Sequence, residues 1–219
     1  METKTQTEKA VAVLKRALLQ GELAPGERLH IEDLSAQYEI GVTPIREALS
    51  RLASVGLVVA HGQRGFRAAV ASEVDFRDIV RTRTHLEVQA LRLSIRSGSA
   101  VWADAVSMAL DEISSCLRRL PESFDEGEET FDRLHKNFHM ALISACSSPR
   151  TQRYCGELYD EAYRHRRIFH RRSRTREVFA VEHETLAKLA LARDEEAAAA
   201  YLTLHLNAPL VIFDRKIDT

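Results

Sequence analysis

Residues 40–56 read IGVTPIREALSRLASVG and decide the fold of the first part of the chain. Thr43 is predicted to cap a helix, because a threonine hydroxyl accepts a hydrogen bond from a free backbone N–H of the first turn. Pro44 follows in that turn, where a proline is tolerated. Gly56 is predicted to close the helix. The stretch therefore predicts one helix with both of its ends marked.

The segments on either side supply the other parts of a small fold. Residues 8–20 have apolar side chains at helical spacing and are followed by a glycine-containing turn, and IEDLSAQYE predicts a second, short helix. Downstream, residues 57–70 predict two short strands joined by a turn from Gly62 to Gly65. Three helices and a hairpin are the components of a winged helix-turn-helix.

Positive charge gathers on the last predicted helix and the hairpin. Residues 1–41 carry five Lys or Arg and seven Asp or Glu, whereas residues 42–70 carry four Arg and one Glu. In a helix-turn-helix the second helix enters the DNA major groove, while basic and hydroxyl groups contact phosphates. Taken singly, each arginine is as readily a solvated surface group. The DNA-binding candidates from this pattern are Thr43, Arg46, Arg51, His61 and Arg64.

The whole chain has the composition of an ordinary globular protein. Of its 219 residues 45% are hydrophobic and 29% charged, with a net charge of −1. Its first residues lack the apolar core of a signal peptide, and no apolar run approaches the roughly 18 residues of a membrane span. Its three cysteines form no CxxC pair. We therefore expect a cytoplasmic protein with reduced thiols and no membrane association.

From about residue 72 the pattern changes to helices alone, as a helical bundle requires. The predicted fold is mainly α, with a winged helix-turn-helix over residues 1–71 and an all-α bundle over residues 72–219. The helices of the bundle are predicted at 73–97, 101–120, 125–147, 150–171, 175–193 and 195–214.

The stretch FDRLHKNFHMAL, residues 131–142, places His135 and His139 one helical turn apart beside an apolar stripe. His183 and His205 lie on apolar faces of two other predicted helices. Each histidine alone is more often a core residue with a hydrogen-bond partner. Convergence on a divalent transition metal would satisfy all four imidazoles at once, and nitrogen ligands favour zinc, with nickel or iron as alternatives.

The same pattern argues against catalysis. A metalloprotease helix needs a glutamate directly after the first histidine, and this chain has Lys136 there. We find no serine or cysteine nucleophile paired with a histidine and no glycine-rich phosphate loop. A helical-bundle metalloenzyme is therefore the weaker alternative, and no catalytic residue is assigned.

Three segments, GELAPGERL, LSAQYEIGVTPIREALSRL and GLVVAHGQRGFRAAV, resemble the GntR family of bacterial transcription regulators. Many members have Ser-Arg where this chain has Gly41 and Val42, so the resemblance implies that one base-reading arginine is missing and that the operator differs from the commonest family consensus. The DNA contacts that the resemblance implies fall at Thr43, Pro44, Arg46, His61 and Gly62.

The second half resembles the FCD effector domain of the FadR subfamily, on the segments RTRTHLE, NFHMALISACSSPR and EHETLAKLALARDEEAAAAYLTLHL. In metal-binding members one helix supplies an Asp and a His four residues later, and two later helices each supply a His. The resemblance implies His139, His183 and His205 as ligands, with His135 in the usual aspartate position. Within the subfamily the chain is similar to the CsiR-like carbon-starvation regulators, whose members respond to small dicarboxylates such as glutarate or 2-hydroxyglutarate.

An anionic effector needs cationic partners, since a guanidinium binds a carboxylate through two parallel hydrogen bonds. Arg83 matches an arginine that often faces the FCD cavity, and Arg166 is the candidate from the basic run 163–176; either is as readily an exposed helix arginine. We expect a repressor in which a metabolite carboxylate completes the coordination of the metal and alters the spacing of the two DNA-binding domains of a homodimer on a palindromic DNA operator. A repressor that senses the metal itself is the other alternative.

Overall fold

The structure, a computed structural model, describes residues 5–125, 129–169 and 173–214. The chain divides into two compact units, one formed by Met1–Glu73 with Tyr163–Ile168 and the other by Val74–Ala162 with Phe169–Thr219. No helix within the described ranges has the length and apolar character that crossing a membrane requires.

The first unit contains three helices and a small antiparallel sheet. Its elements are α1 (Gln6–Gln20), β1 (Arg28–Leu29), α2 (Ile31–Tyr38), α3 (Val42–Ala53), β2 (Val58–Ala60), a 3₁₀ turn (Gly62–Arg64) and β3 (Phe66–Ala68). The strands lie in the order β1-β3-β2, with Val59 opposite Arg67. A core contributed mainly by α1 and α3, including Leu14, Leu18, Ile45 and Leu49, is completely buried. The predicted winged helix-turn-helix is confirmed.

The start of α3 differs from the prediction. The helix begins at Val42 with Gly41 as its N-cap, and no side chain caps it. The carbonyl of Gly41 accepts from the N–H of Ile45 at 3.2 Å, so Thr43 is already inside the first turn and is not the cap. Gly56, at φ 77°, lies in the turn that follows the helix, where the left-handed conformation favours glycine.

The second unit is a helical bundle. Its elements are α4 (Glu73–Ser97), α5 (Ala100–Leu117), β4 (Ser123–Asp125), α6 (Glu129–Leu142), α7 (Pro149–Phe169, of which Tyr163–Ile168 is grouped with the first unit), β5 (Ser173–Thr175), α8 (Arg176–Leu191) and α9 (Glu195–Asp214). The bounds of α4 and α9 agree with the predicted ranges, whereas α5 and α6 end three and five residues earlier than predicted.

The helical second unit also contains one small sheet that the sequence did not predict. Strands β4 and β5 pair antiparallel, with Phe124 opposite Arg174. Phe124 is buried, and its ring lies edge-on to Phe131 at 4.8 Å and to Phe179 at 5.9 Å between ring centroids. This aromatic cluster joins the small sheet to α6 and α8, the two helices that carry most of the predicted metal ligands.

Candidate functional site

Four histidines from three helices meet inside the second unit. Helix α6 contributes His135 and His139, α8 contributes His183 and α9 contributes His205. One ring nitrogen from each lies within 4.8 Å of all the others. Three of the residues are no more than 5% exposed, and the side chain of His205 is 9% exposed. The cluster predicted from the apolar faces of three helices is therefore present, and it can hold a metal ion.

The inward nitrogens of the cluster are very close to one another. Nε2 of His135 lies 3.1 Å from Nε2 of His139 and 3.0 Å from Nε2 of His183. The ring of His183 stacks on Phe179, with centroids 3.9 Å apart and planes inclined by 14°. The aromatic cluster thus fixes the plane of one imidazole against the other rings.

The outward nitrogens of three of these rings each face an oxygen atom. A carbonyl or carboxylate oxygen only accepts hydrogen bonds, so in a neutral ring the nitrogen facing it carries the proton and the opposite nitrogen keeps its lone pair. The pairs are His183 Nδ1 with Phe179 O at 2.7 Å, His205 Nδ1 with Glu182 Oε2 at 3.2 Å and His139 Nδ1 with Glu87 Oε2 at 3.4 Å. Three lone pairs on Nε2 therefore remain for the interior of the cluster.

The ring of His135 cannot form hydrogen bonds to both of its imidazole neighbours. Nε2 of a neutral His135 is either one donor or one acceptor, so it satisfies at most one of its two imidazole neighbours. Two lone pairs about 3 Å apart with no proton between them repel each other. A cation at the centre of the four rings removes this conflict, because it accepts every lone pair at once.

Glu87, on α4, is a buried carboxylate beside the cluster, 1% exposed and facing His139. Its Oε1 accepts from Nε of Arg83 at 2.7 Å, and both side chains are at least 96% buried. Burial alone would raise the pKa of Glu87, but Arg83 and His139 more than offset this and lower that pKa to about 2. Burial lowers the pKa of His139 to about 4. At neutral pH the pair is therefore a carboxylate facing a neutral imidazole.

Arg83 is not the exposed helix arginine that the sequence left as an alternative. It is 3% exposed, and its guanidinium lies over the ring of Tyr159, 5.0 Å from the centroid. Its Nε bonds Glu87, whereas its Nη2 is buried and has no hydrogen-bond partner among the described residues. A buried guanidinium N–H without a partner is costly, so it marks a place where an acceptor is needed.

The second predicted effector residue, Arg166, is grouped with the first unit. Arg166 is half-buried near the end of α7, in the segment Tyr163–Ile168 that belongs to the first unit. The histidine cluster and Arg83 belong to the second unit. The role of Arg166 in effector binding therefore stays a prediction.

Sequence reasoning missed two residues of the site, Glu87 and Glu182. Glu87 stands four positions after Arg83 in RTHLE, a spacing at which opposite charges meet on a helix. Glu182 directly precedes His183 but faces His205 on the neighbouring helix. The first could have been found from its spacing, whereas the second required the packing of α8 against α9.

The DNA-binding candidates lie on the surface of the first unit. Glu47, the one acidic residue of α3, accepts a hydrogen bond from the hydroxyl of Thr7 at 2.8 Å and so links α3 to α1. The turn between β2 and β3 is closed by the N–H of His61, which donates to Gly65 O at 2.8 Å. Six of the candidates are exposed and one is half-buried; they are Thr43, Arg46, Arg51, His61, Gly62 and Arg64, with Pro44 half-buried.

Comparison with protein families gives a match for each unit. Residues 6–67 match the family described as bacterial regulatory proteins, gntR family. Residues 78–208 match the FCD domain. The two matches together take in both the helix-turn-helix and the histidine cluster.

Individual relatives match over most of their length. The helix-turn-helix transcriptional regulator BphR of Paraburkholderia xenovorans is 37% identical over 199 residues, 91% of this chain and 81% of that protein. The helix-turn-helix transcriptional repressor GlaR of Escherichia coli K12 is 32% identical over 213 residues, 92% of this chain and 93% of that protein.

Solved structures share the fold. Escherichia coli McbR superimposes with a TM-score of 0.76 at 21% identity, covering 98% of this chain and 100% of that one. A GntR transcriptional regulator from Rhodococcus sp. RHA1 gives 0.74 at 21% identity, covering 94% of this chain and 96% of its own.

Proposed function

The chain belongs to the GntR family of bacterial regulatory proteins, with an FCD domain, and is a DNA-binding transcription regulator and not an enzyme; on that premise we propose that it is a repressor controlled by a small carboxylate. The carboxylate, of which a dicarboxylate is one form, binds next to a histidine-held metal in the second unit. GlaR, the 32% identical relative, is named a repressor, and this supports the direction of control.

The single observation that carries the metal is the convergence of the four imidazoles, three of which turn their outer ring nitrogen toward an oxygen atom. His135, His139, His183 and His205 would hold the ion, and a site of four nitrogen ligands favours zinc, with nickel or iron as alternatives. A metal bound there would supply positive charge and could take an oxygen atom as a further ligand beside the four histidines. Since neutral imidazoles bring no charge of their own, Glu87 and Glu182 provide the compensating negative charge at the outer nitrogens.

The carboxylate effector is supported by Arg83. Its buried Nη2 lacks an acceptor, and a carboxylate oxygen is the acceptor that binds a guanidinium most strongly. The ring of Tyr159 lies under the guanidinium and is itself fixed by its hydroxyl, which donates to Asp132 Oδ1 at 3.0 Å. An anion at Arg83 would therefore meet a donor that is already oriented.

DNA binding is assigned to residues 1–71 and effector binding to residues 72–219. Helix α3 would enter the major groove through Thr43, Pro44, Arg46 and Arg51, with the β2–β3 turn against the minor groove through His61, Gly62 and Arg64. Two copies of the chain, as a homodimer, would read a palindromic operator, because two-fold symmetry in the protein matches two-fold symmetry in the DNA. The effector controls this binding to the extent that its affinity differs between the two states of the protein.

The metal is tested by elemental analysis of the purified wild-type protein and three alanine variants. We expect about one zinc ion per chain in the wild type, and its loss in His183→Ala and His205→Ala. His85→Ala is the matched control, since His85 lies on the exposed side of α4 and should leave the zinc content unchanged. Absence of metal from the wild type, or equal metal in all four proteins, would contradict the proposal.

The metal-sensing alternative is separated by DNA binding. Zinc alone, added to chelator-treated protein, should not release the operator. Release should still require a carboxylate. Complete release by zinc without any carboxylate would favour the metal as the signal.

A further inference from the structure

We propose that Glu87 makes anion binding at Arg83 conditional on occupation of the histidine site, an inference that rests on the proposed function. Glu87 contacts both halves of the site with its charged group, the arginine through one carboxylate oxygen and a predicted metal ligand through the other. Its position on α4, four residues after Arg83, places it between them.

The two contacts of Glu87 are unequal. Its Oε1 lies 2.7 Å from Nε of Arg83, a normal charge-assisted hydrogen bond. Its Oε2 lies 3.4 Å from Nδ1 of His139, which is longer than a good hydrogen bond. The carboxylate therefore bonds the arginine closely and the histidine only weakly.

The close bond to Glu87 makes Arg83 a poor anion site by itself. The ionised carboxylate cancels the charge of the guanidinium, so the pair is neutral. A second carboxylate at Nη2 would lie beside Glu87 in a buried environment, where like charges repel strongly. The unpartnered N–H of Arg83 can therefore reach an anion, but the negative charge of Glu87 repels that anion.

A cation on Nε2 of His139 changes this balance. The polarised ring makes its Nδ1–H a stronger donor to Glu87, which then shares its charge between His139 and Arg83. The group of Arg83, Glu87, His139 and the cation becomes positive overall, so a carboxylate at Nη2 is attracted and not repelled. By linkage, the carboxylate must raise the metal affinity by the same factor.

The test measures two affinities with opposite expected changes. Zinc affinity is measured by competition with a chelator, and acetate serves as the minimal carboxylate in calorimetric titrations of zinc-loaded and zinc-stripped protein. The wild type should bind acetate at least about 10-fold more tightly when zinc-loaded, a coupling within the usual range. Glu87→Gln should bind zinc about 10- to 100-fold more weakly, yet bind acetate more tightly than the wild type when zinc is stripped, because the charge of Arg83 is no longer cancelled.

Glu182→Gln is the matched control. Glu182 also faces the outer nitrogen of a cluster histidine, His205, at 3.2 Å, and its side chain is 25% exposed. This variant should weaken zinc binding and leave the dependence of acetate binding on zinc as in the wild type. Opposite signs for the two ligands in Glu87→Gln cannot come from simple structural damage, which weakens both.

Each outcome decides the inference. Wild-type protein that binds no zinc, or no acetate in either state, overturns the proposed function together with this inference. Zinc-dependent acetate binding that persists unchanged in Glu87→Gln, or loss of both ligands in that variant, overturns the role of Glu87 and leaves the proposed function standing. If circular dichroism shows Glu87→Gln to be unfolded, Glu87→Asp decides. Its shorter carboxylate keeps Arg83 neutralised but retracts from His139, so the gain in acetate affinity on adding zinc should be smaller than in the wild type, and an undiminished gain refutes the coupling.

Discussion

The buried pair of Arg83 and Glu87 predicts a large and non-additive effect on stability. We consider Arg83→Met, Glu87→Gln and the double variant, each measured in chelator so that metal binding makes no contribution. The two charged side chains are 4% and 1% exposed and lie 2.7 Å apart. Removing either partner leaves the other charge buried and uncompensated.

The magnitude follows from this burial. Breaking a buried ion pair from one side costs about 3–5 kcal/mol, whereas replacing both members with neutral groups of similar volume is often close to neutral. We therefore expect each single variant to lose about 3 kcal/mol of unfolding free energy and the double variant only about 1 kcal/mol. Arg153 and Glu157 have the same spacing on α7 but lie 3.8 Å apart with side chains 62% and 33% exposed, so their coupling should stay below about 0.5 kcal/mol.

Trp102 provides the assay. It is the single tryptophan of the chain, it lies in the second unit and it is 4% exposed, so its fluorescence reports the unfolding of that unit. With a urea slope of about 2 kcal/mol per M, a loss of about 3 kcal/mol moves the midpoint by about 1.5 M. A double variant whose loss equals the sum of the two single losses would refute the coupling of the two charges.

Three further predictions concern other parts of the molecule. Arg96 and Arg92 lower the pKa of Glu195 to about 2 from an ordinary value of 4.5. The ion pairs of Glu195 therefore stabilise the folded protein fully above pH 4.5, and this stabilisation disappears as the pH falls through 2. Glu195→Gln should lower the melting temperature at neutral pH, and its difference from the wild type should shrink steadily in acid. Arg46→Ala should weaken operator binding by about 1–3 kcal/mol, measured by fluorescence anisotropy on a footprinted site, whereas unchanged binding would remove α3 from the interface. Gly98→Ala should destabilise the second unit by about 1–3 kcal/mol in urea titrations, since its Cβ would lie 2.6 Å from the carbonyl of Ser94 and against Trp102; Gly156→Ala is its control, because the nearest atom there is 3.7 Å away, and an equal loss at both sites would contradict the packing.

The sequence was most informative where local chemistry determines structure. Helical periodicity and turn residues predicted the helix-turn-helix, and the bounds of α4 and α9 agree with the predicted ranges. Strands β4 and β5 were missed because three residues are too few for a strand period, and they are held by Phe124 packing on distant rings. The N-cap of α3 was misplaced because a glycine cap has no side-chain signal to compete with Thr43.

The sequence likewise predicts one part of the candidate site and not the rest. The clustering of the four histidines could be predicted from the sequence, because they lie on apolar helical faces and such faces turn toward a common core. The burial of Arg83 could not be predicted, because an arginine on an amphipathic helix usually extends to water and its burial depends on Glu87 and Tyr159. The pairing of Glu182 with His205 likewise arises from the packing of α8 on α9 and not from spacing within one helix.

The central claim is that a carboxylate beside the histidine-held metal controls DNA binding. The most direct test measures the affinity for a footprinted operator duplex by fluorescence anisotropy. A panel of small carboxylates is added in turn to zinc-loaded protein, zinc-stripped protein and the Arg83→Met variant. We predict that at least one carboxylate weakens operator binding of the zinc-loaded wild type by about 5- to 150-fold, the usual range of allosteric coupling, and has little effect on the other two. An equal response in all three proteins, or no response to any carboxylate in the zinc-loaded wild type, would contradict the claim.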